Sequence, residues 1–285
     1  MSKIAIVIDS GTYLPGNLIE KYNIHVVPFH VIWGTEIYRD IVDITPEEFY
    51  KRLETSKEIP TTSQPSPADF EEVYQQLLQE DYEILGIHVS AKLSGTLESA
   101  IQAKASFPNA PIELVDSQTT TMEMGFHVLA VARAAASGAS LQECKVLAEM
   151  ARSFSGVYFV VETLEYLRRG GRIGGATAFL GNALDLKPIL TIRDGEVTPV
   201  ARVRTNKKAV DRMLEIVGER IQSKQPLHLC TVHVNAPDRA KELLKLARKK
   251  FRHLDIVDSL VTGVSPGIGT HVGPGTVGLA FMAGL

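Results

Sequence analysis

Over residues 3–154, apolar runs of strand length alternate with amphipathic stretches of helical period, and no other feature of the chain restricts its fold as much. Residues 3–9, 26–33, 84–89 and 112–115 read as strands; 46–55, 68–79, 96–107, 121–136 and 141–154 read as helices. Strand runs with so little polar alternation are buried on both faces, as in a parallel sheet covered by its crossover helices. The expected class is α/β, opening with a doubly wound parallel-sheet domain.

The second half keeps the two element types but loses the regular rhythm. A strand at 157–161 leads into Arg168-Arg169-Gly170-Gly171-Arg172-Ile173-Gly174-Gly175. Residues 189–204 read as a hairpin, because Asp194-Gly195 is a turn dipeptide between two β-type runs. A helix (207–221), strand (227–234), helix (238–251) and strand (255–260) follow, so a mixed α/β domain is expected here. A single core stops growing at roughly 250–300 residues. The 285 residues are accordingly assigned to two domains, 1–158 and 159–285.

Composition removes several functions. No apolar run approaches the ~20 residues of a membrane span, and the N-terminal run has neither the flanks nor the cleavage site of a signal peptide, so a cytoplasmic protein is expected. Cys144 and Cys230 lie far apart in apolar surroundings and read as core thiols. No Cys/His or carboxylate cluster suggests a metal, and none is expected; nor is a cofactor. The net charge of −3 conceals an asymmetry: residues 1–159 carry 11 Lys and Arg against 21 Asp and Glu, residues 160–285 carry 19 against 12. That split fits either a docking face or two differently solvated surfaces. The basic residues lack interleaved aromatics and any DNA-reading motif, so no nucleic-acid partner is expected.

Ligands of open parallel sheets sit beyond the carboxyl ends of the strands. Those ends deliver Asp9-Ser10-Gly11-Thr12, then Ser90 with Lys92-Leu93-Ser94-Gly95-Thr96, then Asp116-Ser117, all rich in hydroxyls that serve equally as helix caps. Pro60-Thr61-Thr62-Ser63-Gln64-Pro65-Ser66-Pro67 reads as a stiff hydroxyl-bearing loop. Residues 263–278 place six glycines and two prolines around His271, which implies positive φ angles or close backbone approach. Known enzyme signatures fail. Ala176 stands where a P-loop needs Lys, Val272 where a dinucleotide fingerprint needs Gly, and Ser94 lacks the glycine of a nucleophile elbow.

Taken in order, Asp9-Ser10, Thr62-Ser63-Gln64-Pro65, Leu93-Ser94-Gly95-Thr96, Val115-Asp116-Ser117, Leu164 to Ile173, Lys187-Pro188-Ile189-Leu190, Arg204-Thr205 with Lys207-Lys208, and His271-Val272-Gly273-Pro274-Gly275 resemble the DegV family over the whole chain. The resemblance implies a fatty-acid-binding protein of the FakB type, a carrier subunit that presents a long-chain fatty acid to a separate ATP-dependent fatty-acid kinase. It implies an acyl pocket between or beneath two α/β domains, with the carboxylate held by Thr62, Ser94 and His271 and with Arg172 and Arg204 facing the kinase or the phosphate. The kinase catalytic subunit is then the partner, transient membrane contact fits the role, and this chain is not itself the enzyme.

The residue chemistry agrees. Two hydroxyls and an imidazole donate to a carboxylate, with charge assistance from His271 when it is protonated. The alternative is a serine hydrolase or esterase using Ser94 and His271, whose third triad member is unassigned, Asp9 and Asp116 being no more than conceivable orienting carboxylates.

Overall fold

The computed structural model describes residues 3–56, 58–180 and 186–285. The chain opens with β1 (Lys3–Asp9), a 3-10 turn at Ser10–Thr12, α1 (Gly16–Lys21) and β2 (Ile24–Val27). Then come β3 (His30–Trp33), β4 (Glu36–Arg39), α2 (Pro46–Thr55), β5 (Thr61–Ser63), α3 (Pro67–Gln79), β6 (Tyr82–His88), α4 (Thr96–Ala105), β7 (Ile112–Asp116), α5 (Thr121–Ala136) and α6 (Leu141–Ala151). The remainder is β8 (Ser155–Val160), α7 (Glu165–Arg169), β9 (Lys187–Arg193), β10 (Glu196–Val203), α8 (Asn206–Ile221), β11 (Leu227–His233), α9 (Pro237–Lys250), β12 (Ile256–Gly263), α10 (Pro266–Val272) and β13 (Val277–Ala283).

The first sheet, in the order β2-β1-β6-β7, is parallel throughout. Its two-residue period divides β1 between two layers: Ala5 and Val7 join Phe70 and Tyr74 of α3, while Ile6 and Ile8 join Met122 and Phe126 of α5. This is the doubly wound arrangement expected from the alternating pattern. The second sheet, β10-β9-β8-β13-β11-β12, is antiparallel except for its β11/β12 edge pair, so the molecule joins a parallel-sheet part to a mixed-sheet part. In its β9/β10 hairpin Asp194 (φ 51°) and Gly195 (φ 83°) both take the positive angles that match strand twist.

Helix α5 lies between the two sheets. Every residue from Thr121 to Leu129 is buried, and one apolar cluster runs from Ile6 and Leu85 through Phe126 to Val157, Cys230 and Ala280. Both cysteines are free thiols within it.

Two sequence expectations differ from the structure and a third is met. The apolar run 26–33 is not one strand, because Pro28 supplies no N–H for a ladder; the chain leaves the parallel sheet at Val27 and restarts at His30 in a small antiparallel sheet, β4-β3-β5. The proline-rich loop at 60–67 contains β5, a three-residue edge strand, since prolines exclude a central strand but tolerate an edge. The glycine-rich stretch 263–278, part of which forms α10, meets its expectation in both ways: Gly273 and Gly275 have positive φ, and at Gly267 a Cβ would stand 2.8 Å from Asp40 and Phe29.

Candidate functional site

Three separate elements bring Thr62, Ser94 and His271 to one cavity. Thr62 is held on β5 by pairing with Val31 of β3. Ser94 closes the turn after β6, its backbone N–H donating to the Ser90 carbonyl at 3.1 Å. His271 occupies the last turn of α10, whose N-cap is Ser265. All three line a cavity of about 900 Å3, counted to its open mouth, whose other walls include Phe29, Val89, Val157, Phe159 and Val232. The wall is mostly apolar with polar groups at few places, the pattern of small-molecule sites.

The helix α10 is pinned from below. Buried Asp40 accepts from the Gly267 N–H at 3.1 Å and from the Ser10 hydroxyl at 2.7 Å, and Ser10 in turn accepts from the Phe29 N–H at 3.0 Å. Burial, only partly offset by these bonds, pushes the Asp40 carboxyl up to about 6. Gly269 lets α10 lie against Tyr50, where a Cβ would stand 2.0 Å from the hydroxyl oxygen. Nothing in the sequence pattern marks Asp40 or Tyr50 as supports of the site.

Thr62 Oγ1 and His271 Nε2 are 2.7 Å apart. Burial first, and the Arg172 charge second, lower the His271 pKa to about 4, so the ring is neutral at pH 7 and adds no formal charge to the site. Its Nδ1 is buried without a partner, which assigns the hydrogen to Nε2, since the other tautomer would bury an N–H with no acceptor. Nε2–H then donates to Thr62, and the Thr62 hydroxyl hydrogen is left for a ligand. Ser94 pairs with the buried Thr96 hydroxyl at 2.8 Å, and with Thr96 as donor the Ser94 hydrogen is left in the same way.

Arg172 also lines the cavity. Its guanidinium donates to the Leu93 carbonyl at 2.9 Å and the Gly170 carbonyl at 2.5 Å, tying the Ser94 turn to the α7 end. Arg204 is not among the lining residues; it stands exposed on the bend between β10 and α8. Gln64 also lines the cavity, and Thr96 bears on it through its bond to Ser94; each stands two residues along the chain from an expected site residue, Thr62 or Ser94.

Hydrolase geometry is not assembled. The Ser94 partner is Thr96, and the orienting carboxylates are engaged elsewhere: Asp9 accepts from the Gly11 and Val89 N–H groups, Asp116 from those of Ala91 and Gln118. Among the described residues no group of His, Cys, Asp and Glu is placed to hold a metal ion, and no helix is long and apolar enough to cross a membrane.

Two α/β parts bordering a largely apolar cavity, with hydroxyls and a neutral imidazole on its wall, define an α/β protein with a small-molecule binding cavity. The DegV family model, described as an uncharacterised protein family, matches residues 3–284, and the chain belongs to that family. A DegV domain-containing protein of Clostridium perfringens is 36% identical over 282 residues, covering 98% of both chains. The structure of a fatty-acid-binding DegV family protein from Thermus thermophilus superposes with a TM-score of 0.93 at 36% identity, covering 99% of each chain. That of DegV from Bacillus subtilis, a fatty acid binding protein, superposes at 0.89 with 30% identity, covering 99% of this chain and 100% of that one.

Proposed function

We propose that this protein binds a long-chain fatty acid in the apolar cavity and presents its carboxylate to a partner kinase, which phosphorylates it with ATP to an acyl phosphate for phospholipid synthesis. The carrying observation is that Thr62, Ser94 and His271, the first and last of them in contact, line one predominantly apolar cavity in a chain 30–36% identical to fatty-acid-binding relatives. The carboxylate accepts from the Thr62 and Ser94 hydroxyls; neutral His271 fixes Thr62 as a donor toward the ligand. Donors of this kind hold and orient an acid but supply no nucleophile, so catalysis belongs to the partner. Arg172, at the cavity, neutralises charge building on the acyl phosphate, and exposed Arg204 meets acidic residues of the kinase. Such a carrier works in the cytoplasm with transient membrane contact.

Magnitudes divide the labour. About fourteen methylenes at ~0.8 kcal/mol each contribute on the order of 11 kcal/mol before association costs, whereas a neutral hydrogen bond nets roughly 0.5–1.5 kcal/mol. The tail therefore supplies affinity and the head supplies direction. Denaturing the purified protein and identifying the released lipid by mass spectrometry tests the ligand; a fatty acid is expected, and lipid of another class or none after incubation with fatty acid sinks the reading. With a fatty-acid kinase and ATP, Ser94→Ala and His271→Ala are expected to lower acyl phosphate formation more than lipid retention. Unchanged turnover in Arg204→Ala removes Arg204 from the kinase contact.

A further inference from the structure

The cavity has a further polar point besides the three residues assigned to the carboxylate. Thr121, the first residue of α5, lines the cavity and is 8% exposed. Its Oγ1 is buried and has no hydrogen-bond partner. Neighbouring lining hydroxyls do have one: Thr120 donates to the Gly11 carbonyl at 3.2 Å, and Thr276 to the Val272 carbonyl at 2.9 Å. Because the Thr120 side chain turns to Gly11, it makes no cap on α5, and the first-turn N–H groups of that helix lack a side-chain acceptor at the same place. Thr121 also sits at φ 54°, a left-handed conformation that β-branched residues seldom adopt.

A saturated chain lying here would leave the buried Thr121 hydroxyl without a partner, the costly state of a polar group away from water. An oxygen substituent on the chain would restore the balance: a hydroxyl or keto oxygen accepts from Thr121 Oγ1–H and faces the positive end of α5. We propose that Thr121 is a specificity-determining residue for fatty acids carrying a hydroxyl or keto group along the chain. The proposal rests on the fatty-acid reading above and narrows it to a substrate class.

Dissociation constants of stearate and of a positional series of monohydroxystearates, measured on delipidated wild type, Thr121→Val and Thr121→Ser, test it. At least one hydroxy isomer is expected to bind wild type no more weakly than stearate. Thr121→Val is expected to cut that isomer's affinity relative to stearate about tenfold, while Thr121→Ser keeps the preference. If stearate fails to bind wild type, the fatty-acid reading falls and this inference with it. If stearate binds and every hydroxy isomer is weaker in wild type, the substrate class alone is overturned, whatever the variants do. The substrate class is equally overturned if Thr121→Val leaves the isomer ratio unchanged.

Discussion

Inside this protein a few side chains hold protons at unusual affinities, and Glu123 of α5 shows it in measurable form. It accepts from Thr119 Oγ1 at 2.6 Å and Ser155 Oγ at 3.2 Å, yet complete burial outweighs those bonds and the more distant Arg220 charge, raising its pKa from 4.5 to about 7. A carboxyl raised in the folded state contributes stability in full below its unfolded pKa and loses it as pH climbs through the folded value. The stability difference between wild type and Glu123→Gln should therefore shrink by about 3 kcal/mol from pH 4.5 to 7, at ~1.4 kcal/mol for each tenfold change in proton affinity. His271 and the neighbouring His127, lowered to about 4 and about 3 by burial, slope the opposite way. They are common to both proteins and cancel in the difference. Urea titrations across that range check this; parallel profiles would show that Glu123 does not carry the proton.

At the scale of elements, the contact between α7 and α10 sets the imidazole. Gly170, the C-cap of α7, has φ −71° and ψ −9°, which any residue tolerates, but a Cβ there would stand 2.2 Å from His271 Nδ1. Next to it Gly171 has φ 71° with open space around its Cβ position. The two substitutions should separate. Gly170→Ala is expected to push the ring from Thr62 and weaken fatty-acid binding three- to tenfold, the worth of about one hydrogen bond. Gly171→Ala is expected to cost stability through backbone strain of roughly 1 kcal/mol while sparing affinity. Calorimetric titration beside thermal melts distinguishes them, and equal affinities for Gly170→Ala and wild type would refute the packing argument. The same elements show what the sequence made legible. Helices such as Pro46–Thr55 and Thr121–Ala136 followed from helical apolar period. The strand β13 did not, although it lies at the centre of the mixed sheet. Its Gly278 is there because Phe159 and the Tyr158 carbonyl come within about 3 Å of the Cβ position, a tertiary constraint that reads locally as loop composition. For the site, motif resemblance led to the Thr62, Ser94 and His271 positions, whereas Asp40 and Thr121 matter through contacts that join distant segments and leave no local pattern.

At the scale of the molecule, the cavity takes its walls from both sheets: Phe29 and Val89 from the parallel side, Val157, Ile192 and Val232 from the mixed side. A bound chain would add contacts across that junction, where α5 already serves both layers, so ligand and global stability are linked. Each additional buried methylene contributes ~0.8 kcal/mol, and from laurate to palmitate four of them amount to about 3 kcal/mol, on the order of a hundredfold in dissociation constant. At a fixed ligand concentration in excess, palmitate should therefore raise the melting temperature of the delipidated protein several degrees further than laurate, given roughly 2–4 °C per kcal/mol for a chain a little smaller than this one. The gain per methylene should stop at the length that fills the cavity, after which longer acids lose affinity because their tails stay in water or bend. A thermal-shift series in two-carbon steps locates that break. A flat series from ten to eighteen carbons would mean that the tail is not buried, and the apolar cavity would then need a different occupant.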